Sequence, residues 1–145
     1  MNPKMKILLV DDFSTMRRII KNLLKQIGYE NIEEAEDGAQ AYSKLKSGEF
    51  DFIICDLEMP NMNGLELLSR IRSEIQFKDS PFLMIISHTA EYTVKEIIHS
   101  AALPDALSQV MLSGFMSEAQ DYIVRPFRGE MLKEKIDKIL EAVQK

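Results

Sequence analysis

The stretch Ile7-Leu8-Leu9-Val10-Asp11-Asp12-Phe13-Ser14-Thr15-Met16-Arg17-Arg18-Ile19-Ile20 decides the fold class. Its first four residues are uniformly apolar and do not alternate with polar ones. That is the pattern of a strand buried on both faces. From Met16 onward the period changes: Met16, Ile19, Ile20, Leu23, Leu24 and Ile27 recur at spacings of three and four, one face of a helix. Ser14 is the expected N-cap and Gly28 the expected stop. Between the two periods stand adjacent carboxylates, Asp11 and Asp12.

The same change of period repeats along the chain. Asn31 to Ala35 is short and polar and is placed at a sheet edge; the helix after it turns Ala41, Tyr42 and Leu45 inward, with Gly48 beyond its end. Phe52-Ile53-Ile54-Cys55 reads as a third strand, followed by a helix carrying Leu65, Leu68 and Ile71. Phe82 to Ile86 reads as a fourth, and a helical segment with Val94, Ile97 and Ile98 begins near Glu91. Tyr122-Ile123-Val124 reads as a fifth, with Leu132, Ile136, Ile139, Leu140 and Val143 on the last helix. Alternating β and α units predict an α/β fold, a doubly wound five-stranded parallel sheet with helices on both faces. From Ala101 to Gln120 the chain is longer than one helix and a short loop require. An extra segment is therefore expected before the fifth strand. Pro104 suits the first turn of a new helix, and Leu103, Leu107, Val110, Met111 and Phe115 follow at helical spacing, interrupted by Gly114. The segment reads either as a helix packed on the domain or as an exposed apolar stripe for a partner or a second copy.

Composition narrows the function classes. A length of 145 residues suits one domain, and a hydrophobic share of 46% is enough for a core. A formal net charge of −5 argues against nucleic-acid binding, which favours a basic excess. No apolar run approaches the ~20 residues of a membrane span, and Met1 to Lys6 has no signal-peptide core behind it. Cys55 is the one cysteine, so no intramolecular disulfide can form, and a cytoplasmic location is expected. Cys55, His88 and His99 show no zinc-ligand spacing.

In sheets of this class, ligands bind beyond the carboxyl ends of the strands, where strand order reverses. Asp11 and Asp12 follow the first strand, Asp56 the third, Ser87 with Thr89 close behind the fourth, and Arg125 the fifth. Three carboxylates packed together repel, and one takes up a proton unless a cation is present. A hard divalent ion with oxygen ligands, Mg²⁺, answers that need. A metal beside a nucleophilic aspartate, with a hydroxyl and a cation nearby, suits phosphoryl transfer. Asp56 would be the acceptor, forming an acyl phosphate. Singly, each residue has an ordinary reading. Asp11 or Asp12 could be a helix N-terminal acid. Asp56 could precede a turn at Met59-Pro60-Asn61, Arg125 could be a surface charge, and Ser87 and Thr89 could be caps. The joint pattern at four of five strand ends carries the functional reading. Cys55 reads as a buried structural thiol. Arg17, Arg18, Lys21 and Lys25 make the outer side of the first helix basic, by default a solvated face.

At these residues the chain resembles a known family. Val10 to Ile20 is similar to the first strand–helix turn of bacterial two-component response-regulator receiver domains, most of all chemotaxis regulators of the CheY type. Asp56-Leu57-Glu58-Met59-Pro60-Asn61-Met62-Asn63-Gly64-Leu65-Glu66-Leu67-Leu68 resembles their phosphoacceptor loop, and Tyr122-Ile123-Val124-Arg125-Pro126-Phe127 resembles their Lys-Pro-Phe end. The likeness runs from about Met5 to Val143 with one interruption. It implies a flavodoxin-like, CheY-like sheet of order 2-1-3-4-5 and a single receiver domain over residues 1–145, with an atypical insertion at 101–120 between the fourth helix and fifth strand. It implies that Asp56 accepts phosphate from a histidine kinase, and that Asp12 and Asp56 bind Mg²⁺ directly and Asp11 through water, with the Glu58 carbonyl a further ligand. The switch would be a hydroxyl after the fourth strand together with Tyr122, and the output face the fourth helix, fifth strand and fifth helix. The implied product is a stand-alone signalling protein rather than an enzyme, acting on a protein target such as the flagellar motor switch, with no nucleic-acid or membrane partner.

The chain also departs from the family. Arg125 stands where the family has lysine. A gapless alignment from Pro81 places Ile86, which has no hydroxyl, at the switch position, whereas Ser87 is the first hydroxyl after the strand and Thr89-Ala90-Glu91 matches the family's Thr-Ala-Glu later. Strand geometry favours Ser87, with Thr89 second. These departures motivate a receiver with weakened switching that serves as a binding module. Separate readings are a phosphate relay or sink, a dimer formed through the insertion, and a Mg²⁺-dependent phosphohydrolase, which lacks a second acid placed as a general acid and which turnover would distinguish.

Overall fold

The computed structural model describes residues 4–87 and 121–143. Five parallel strands, β1 (Ile7–Val10), β2 (Ile32–Ala35), β3 (Phe52–Asp56), β4 (Phe82–Ser87) and β5 (Asp121–Arg125), lie in the order β2-β1-β3-β4-β5. The helices are α1 (Ser14–Gln26), α2 (Gly38–Ser47), α3 (Gly64–Arg72) and α4 (Gly129–Val143), with a short 3₁₀ turn at Ile75–Phe77. The sheet order and the two-sided helical cover agree with the sequence expectation. His88, Thr89, the helical segment from Glu91, His99 and the 101–120 segment with Pro104 lie outside the described residues. Among the described residues, no helix is long and apolar enough to cross a membrane.

The unbroken apolar runs behave as their pattern demands. All four residues of β1 are fully buried, because a parallel central strand has helices on both sides. The pleat sorts the strand residues into two cores. Ile7, Leu9, Phe52, Ile54, Leu83, Ile85 and Ile123 face α1 and α4, packing on Ile20, Leu24, Leu132, Ile136 and Ile139. Leu8, Val10, Ile53, Cys55, Phe82, Met84 and Ile86 face α2 and α3, packing on Ala41, Leu45, Leu67, Leu68 and Ile71. Each fully buried aliphatic side chain contributes about 1.5–3 kcal/mol over its exposed state. The polar β2 is at the edge, paired among the described residues with β1 alone.

Several details differ from the sequence reading. Ser14 is the first helical residue of α1 rather than its cap; Phe13 occupies the cap position and makes no side-chain cap bond. Ile19 is 47% exposed, so the buried stripe of α1 is narrower than its apolar pattern. On α3, Leu67 is buried with Leu68 and Ile71, while Leu65 is only partly covered. The strands β3, β4 and β5 each reach one residue further, to Asp56, Ser87 and Arg125. Gly28 ends α1 as expected. Its φ of 110° lies in the left-handed region that glycine adopts without strain, and the turn is closed by Tyr29 N–H donating to the Leu24 carbonyl at 2.9 Å.

Candidate functional site

Side chains in a strand alternate between faces, so parity decides which residues meet at the sheet edge. Asp11 continues the face of Ile7 and Leu9, Asp56 that of Phe52 and Ile54, Ser87 that of Leu83 and Ile85, and Arg125 that of Ile123. All four therefore stand on the α1–α4 side, at the carboxyl ends of β1, β3, β4 and β5. Ile86 is buried in the opposite core and does not belong to this face. In the register, Asp56 pairs with Ile85, and Ser87 pairs with Arg125. Tyr122, three residues before Arg125, packs against the other core, with Lys135 Nζ 5.7 Å from its ring centre.

The acids from two turns converge. One oxygen each from Asp11, Asp12 and Asp56 lies within 4.8 Å of the others. Asp11 is fully buried, Asp56 is 3% exposed, and Asp12 faces solvent. Asp11 Oδ1 accepts from the Phe13 N–H at 2.9 Å. Its other oxygen, Asp11 Oδ2, and Asp56 Oδ1 are buried with no hydrogen-bond partner among the described residues. Arg125 brings a guanidinium nitrogen to 3.9 Å from Asp56 Oδ1, and its Nε is likewise buried without a hydrogen-bond partner among the described residues. Buried polar atoms are nearly always satisfied, and exceptions mark strain, an ion or a ligand. Two orphaned carboxylate oxygens beside a third acid fit a small divalent cation with oxygen ligands. The orphaned guanidinium N–H fits an incoming anion.

The electrostatics follow from this crowding. Burial above all, then the neighbouring Asp11 charge, raises the Asp56 pKa to about 7, with Arg125 opposing and Asp12 and Glu58 adding to the rise. Asp11 is also raised, chiefly by burial, against the Phe13 N–H and Arg125. Burial drives the Cys55 thiol well above its ordinary value, helped by Asp56 and Asp11, so this residue is a buried structural thiol.

Arg17 has a part that its place on a basic helix face concealed. Its Nη1 donates to the Asp11 carbonyl at 2.6 Å while its Nε meets Glu34 Oε1 at 3.2 Å, so it ties the first acid's backbone to β2. Only the folded chain brings these together.

The β3–α3 loop that follows Asp56 is shaped by local contacts. Asn63 and Glu66 form a reciprocal capping box at the start of α3. Asn61 adopts a φ of 66°, which asparagine tolerates better than most residues. Gly64 is needed for close approach: an added Cβ would lie 2.5 Å from the Asp56 carbonyl oxygen and 2.7 Å from Met84 Sδ. Gly64→Ala is therefore expected to destabilise the fold by about 1–3 kcal/mol, read as a lower urea midpoint at unchanged slope. An unshifted midpoint would mean that the loop yields freely.

Comparison with known proteins bears on this arrangement. A family model described as the response regulator receiver domain matches residues 7–137. The chain is 48% identical over 141 residues to chemotaxis protein CheY-3 of Vibrio cholerae, covering 97% of this chain and 95% of that one. It is 47% identical over 139 residues to chemotaxis protein CheY of Pseudomonas aeruginosa, covering 96% and 98%. Among solved structures, response regulator TrrA of Thermotoga maritima in complex with Mg²⁺-BeF superposes with a TM-score of 0.69 at 31% identity, covering 93% of this chain and 98% of that one. Vibrio cholerae CheY4 superposes with a TM-score of 0.70 at 29% identity, covering 94% and 98%.

Proposed function

Because this chain belongs to the response regulator receiver domain family, with chemotaxis regulators among its relatives, we propose that Asp56 accepts a phosphoryl group from a histidine kinase and that the phosphorylated protein signals by protein contact. One observation carries the reading above others. Asp56 is a buried carboxylate whose Oδ1 has no hydrogen-bond partner among the described residues, and it is flanked by two further acids and by Arg125.

Each residue has a role in this reading. Asp12 and Asp56 would hold Mg²⁺ directly and Asp11 through a water, with the Glu58 carbonyl as a further ligand. The ion, when bound, neutralises the acids and polarises the oxygens of the transferring group. Asp56 Oδ1 attacks phosphorus as the bond to the donor imidazole breaks. Arg125 donates from its fork to the phosphoryl oxygens, and where the family's lysine would offer a point charge, the planar guanidinium offers several fixed donors. The Ser87 hydroxyl donates to another phosphoryl oxygen. Burial of Asp56 keeps bulk water from the acyl phosphate, and slow self-dephosphorylation is the most turnover expected. Tyr122, on the opposite face of β5, would report the change to a target such as the flagellar motor switch. No nucleic-acid or membrane partner belongs to this reading, and its setting is cytoplasmic. Thr89 and a dimer through residues 101–120 remain proposals beyond the described residues.

A second reading, a receiver with weakened switching that serves as a phosphate sink or binding module, is favoured by one observation. The Ser87 hydroxyl already has an acceptor, Glu58.

The test is intact-mass measurement after incubation with acetyl phosphate. With Mg²⁺ the protein is expected to gain one phosphoryl group, and without the ion none. A protein that stays unlabelled with Mg²⁺ present would sink the phosphoacceptor reading.

A further inference from the structure

The Ser87 hydroxyl donates to Glu58 Oε1 at 3.2 Å. The residues are 29 apart in sequence, and the bond joins the loop after β3 to the end of β4. Glu58 lies two residues beyond Asp56. Ser87 lies two residues beyond Ile85, the register partner of Asp56.

A hydroxyl carries one proton to donate. Ser87 can give it to the Glu58 carboxylate or to a phosphoryl oxygen on Asp56, but not to both at once. The backbone beneath Glu58 is held by the capping box at Asn63, the turn at Asn61 and the close packing of Gly64. Ser87 is the end of a strand whose preceding residues are buried. With one proton to give, the hydroxyl gives up this contact when it donates to a phosphoryl oxygen on Asp56. The Glu58 side chain is exposed and can turn to water once released, so the contact sets a bias rather than a block.

We propose that Glu58 is a positioning residue that holds Ser87 in the resting arrangement and so opposes engagement of the phosphoryl group. The inference rests on Asp56 being the phosphoacceptor. It deepens that reading by identifying what the hydroxyl must leave.

Removing Glu58 alone would not test this. Its negative charge opposes an anion at Asp56 through the field, whatever Ser87 does. A double-mutant cycle separates the two effects. The affinity for beryllofluoride, a phosphoryl-shaped anion, is measured by titration calorimetry at saturating Mg²⁺ in wild type, Glu58→Ala, Ser87→Ala and the double variant. Glu58→Ala is expected to tighten binding about threefold more when Ser87 is present than when it is alanine. Glu58→Gln, which keeps an acceptor but not the charge, is expected to retain part of that difference. Equal tightening in both backgrounds would reduce Glu58 to a field effect and overturn the proposal, as would no tightening in either. A wild-type protein that neither binds beryllofluoride nor takes up a phosphoryl group would instead overturn the phosphoacceptor reading beneath it.

Discussion

Asp56→Asn is expected to take up no phosphoryl group from acetyl phosphate and Mg²⁺ under conditions that label the wild type fully. The amide is neutral, and it cannot form the acyl phosphate that a carboxylate oxygen forms. The informative alternative lies in the neighbouring acids. Asp11 is as buried as Asp56 and also has one oxygen with no hydrogen-bond partner among the described residues. Its other oxygen is held by the Phe13 N–H, and its backbone carbonyl by Arg17. Intact-mass spectra of Asp56→Asn check this directly. Label persisting at the same stoichiometry would move the acceptor to Asp11 or Asp12 and end the assignment of Asp56.

The same substitution is expected to stabilise the metal-free protein at alkaline pH. Asp56 carries its proton to about pH 7 in the folded chain, against an ordinary value of 3.8. A folded-state pKa raised above the unfolded one means that the folded state holds a proton that the unfolded chain releases. The stabilisation is complete below about pH 4, declines as pH rises toward 7, and is absent above that. A shift of this size corresponds to about 2–4 kcal/mol between the ends of the window. Asp11, raised in the same direction, adds to the decline. Without metal, wild-type unfolding midpoints should therefore fall between about pH 4 and about pH 8. The profile of Asp56→Asn should be flatter, with its midpoint above wild type at the alkaline end and near it at the acid end. Mg²⁺ at the alkaline end should recover the wild type far more than the variant. Parallel profiles for the two proteins would show that the crowding of charge at this edge is of no energetic consequence.

Much of the fold is legible in the order of residues, for physical reasons. A strand buried on both faces in a parallel sheet must be continuously apolar, so Ile7–Val10, Phe52–Cys55 and Phe82–Ile86 announce themselves. In sheets of this class ligands bind beyond the strand ends, so the acids at 11, 12 and 56 are found as site candidates by reading onward. Helix phase is less legible. The apolar residues of α1 outnumber its buried ones, and Ile19 stays half in water. On α3, Leu65, Leu67 and Leu68 fall within about one turn, and packing against the sheet buried Leu67 and Leu68 while leaving Leu65 partly covered.

Alone, the chain's order of residues determined which segments become strands and which carboxylates lie at their ends, because burial and the turn after each strand are local properties. Tertiary structure decided which side chains face one another. A shift of one residue in a strand reverses the face, so register and pleat fix the outcome that strand geometry favours, with Ser87 on the face of Asp56 and Ile86 in the opposite core. Only folding brings Arg17 to the Asp11 carbonyl and Glu58 to the Ser87 hydroxyl. These contacts join residues whose separation in the chain carries no periodic signal, and their energy exists only once the sheet has set the distance between them.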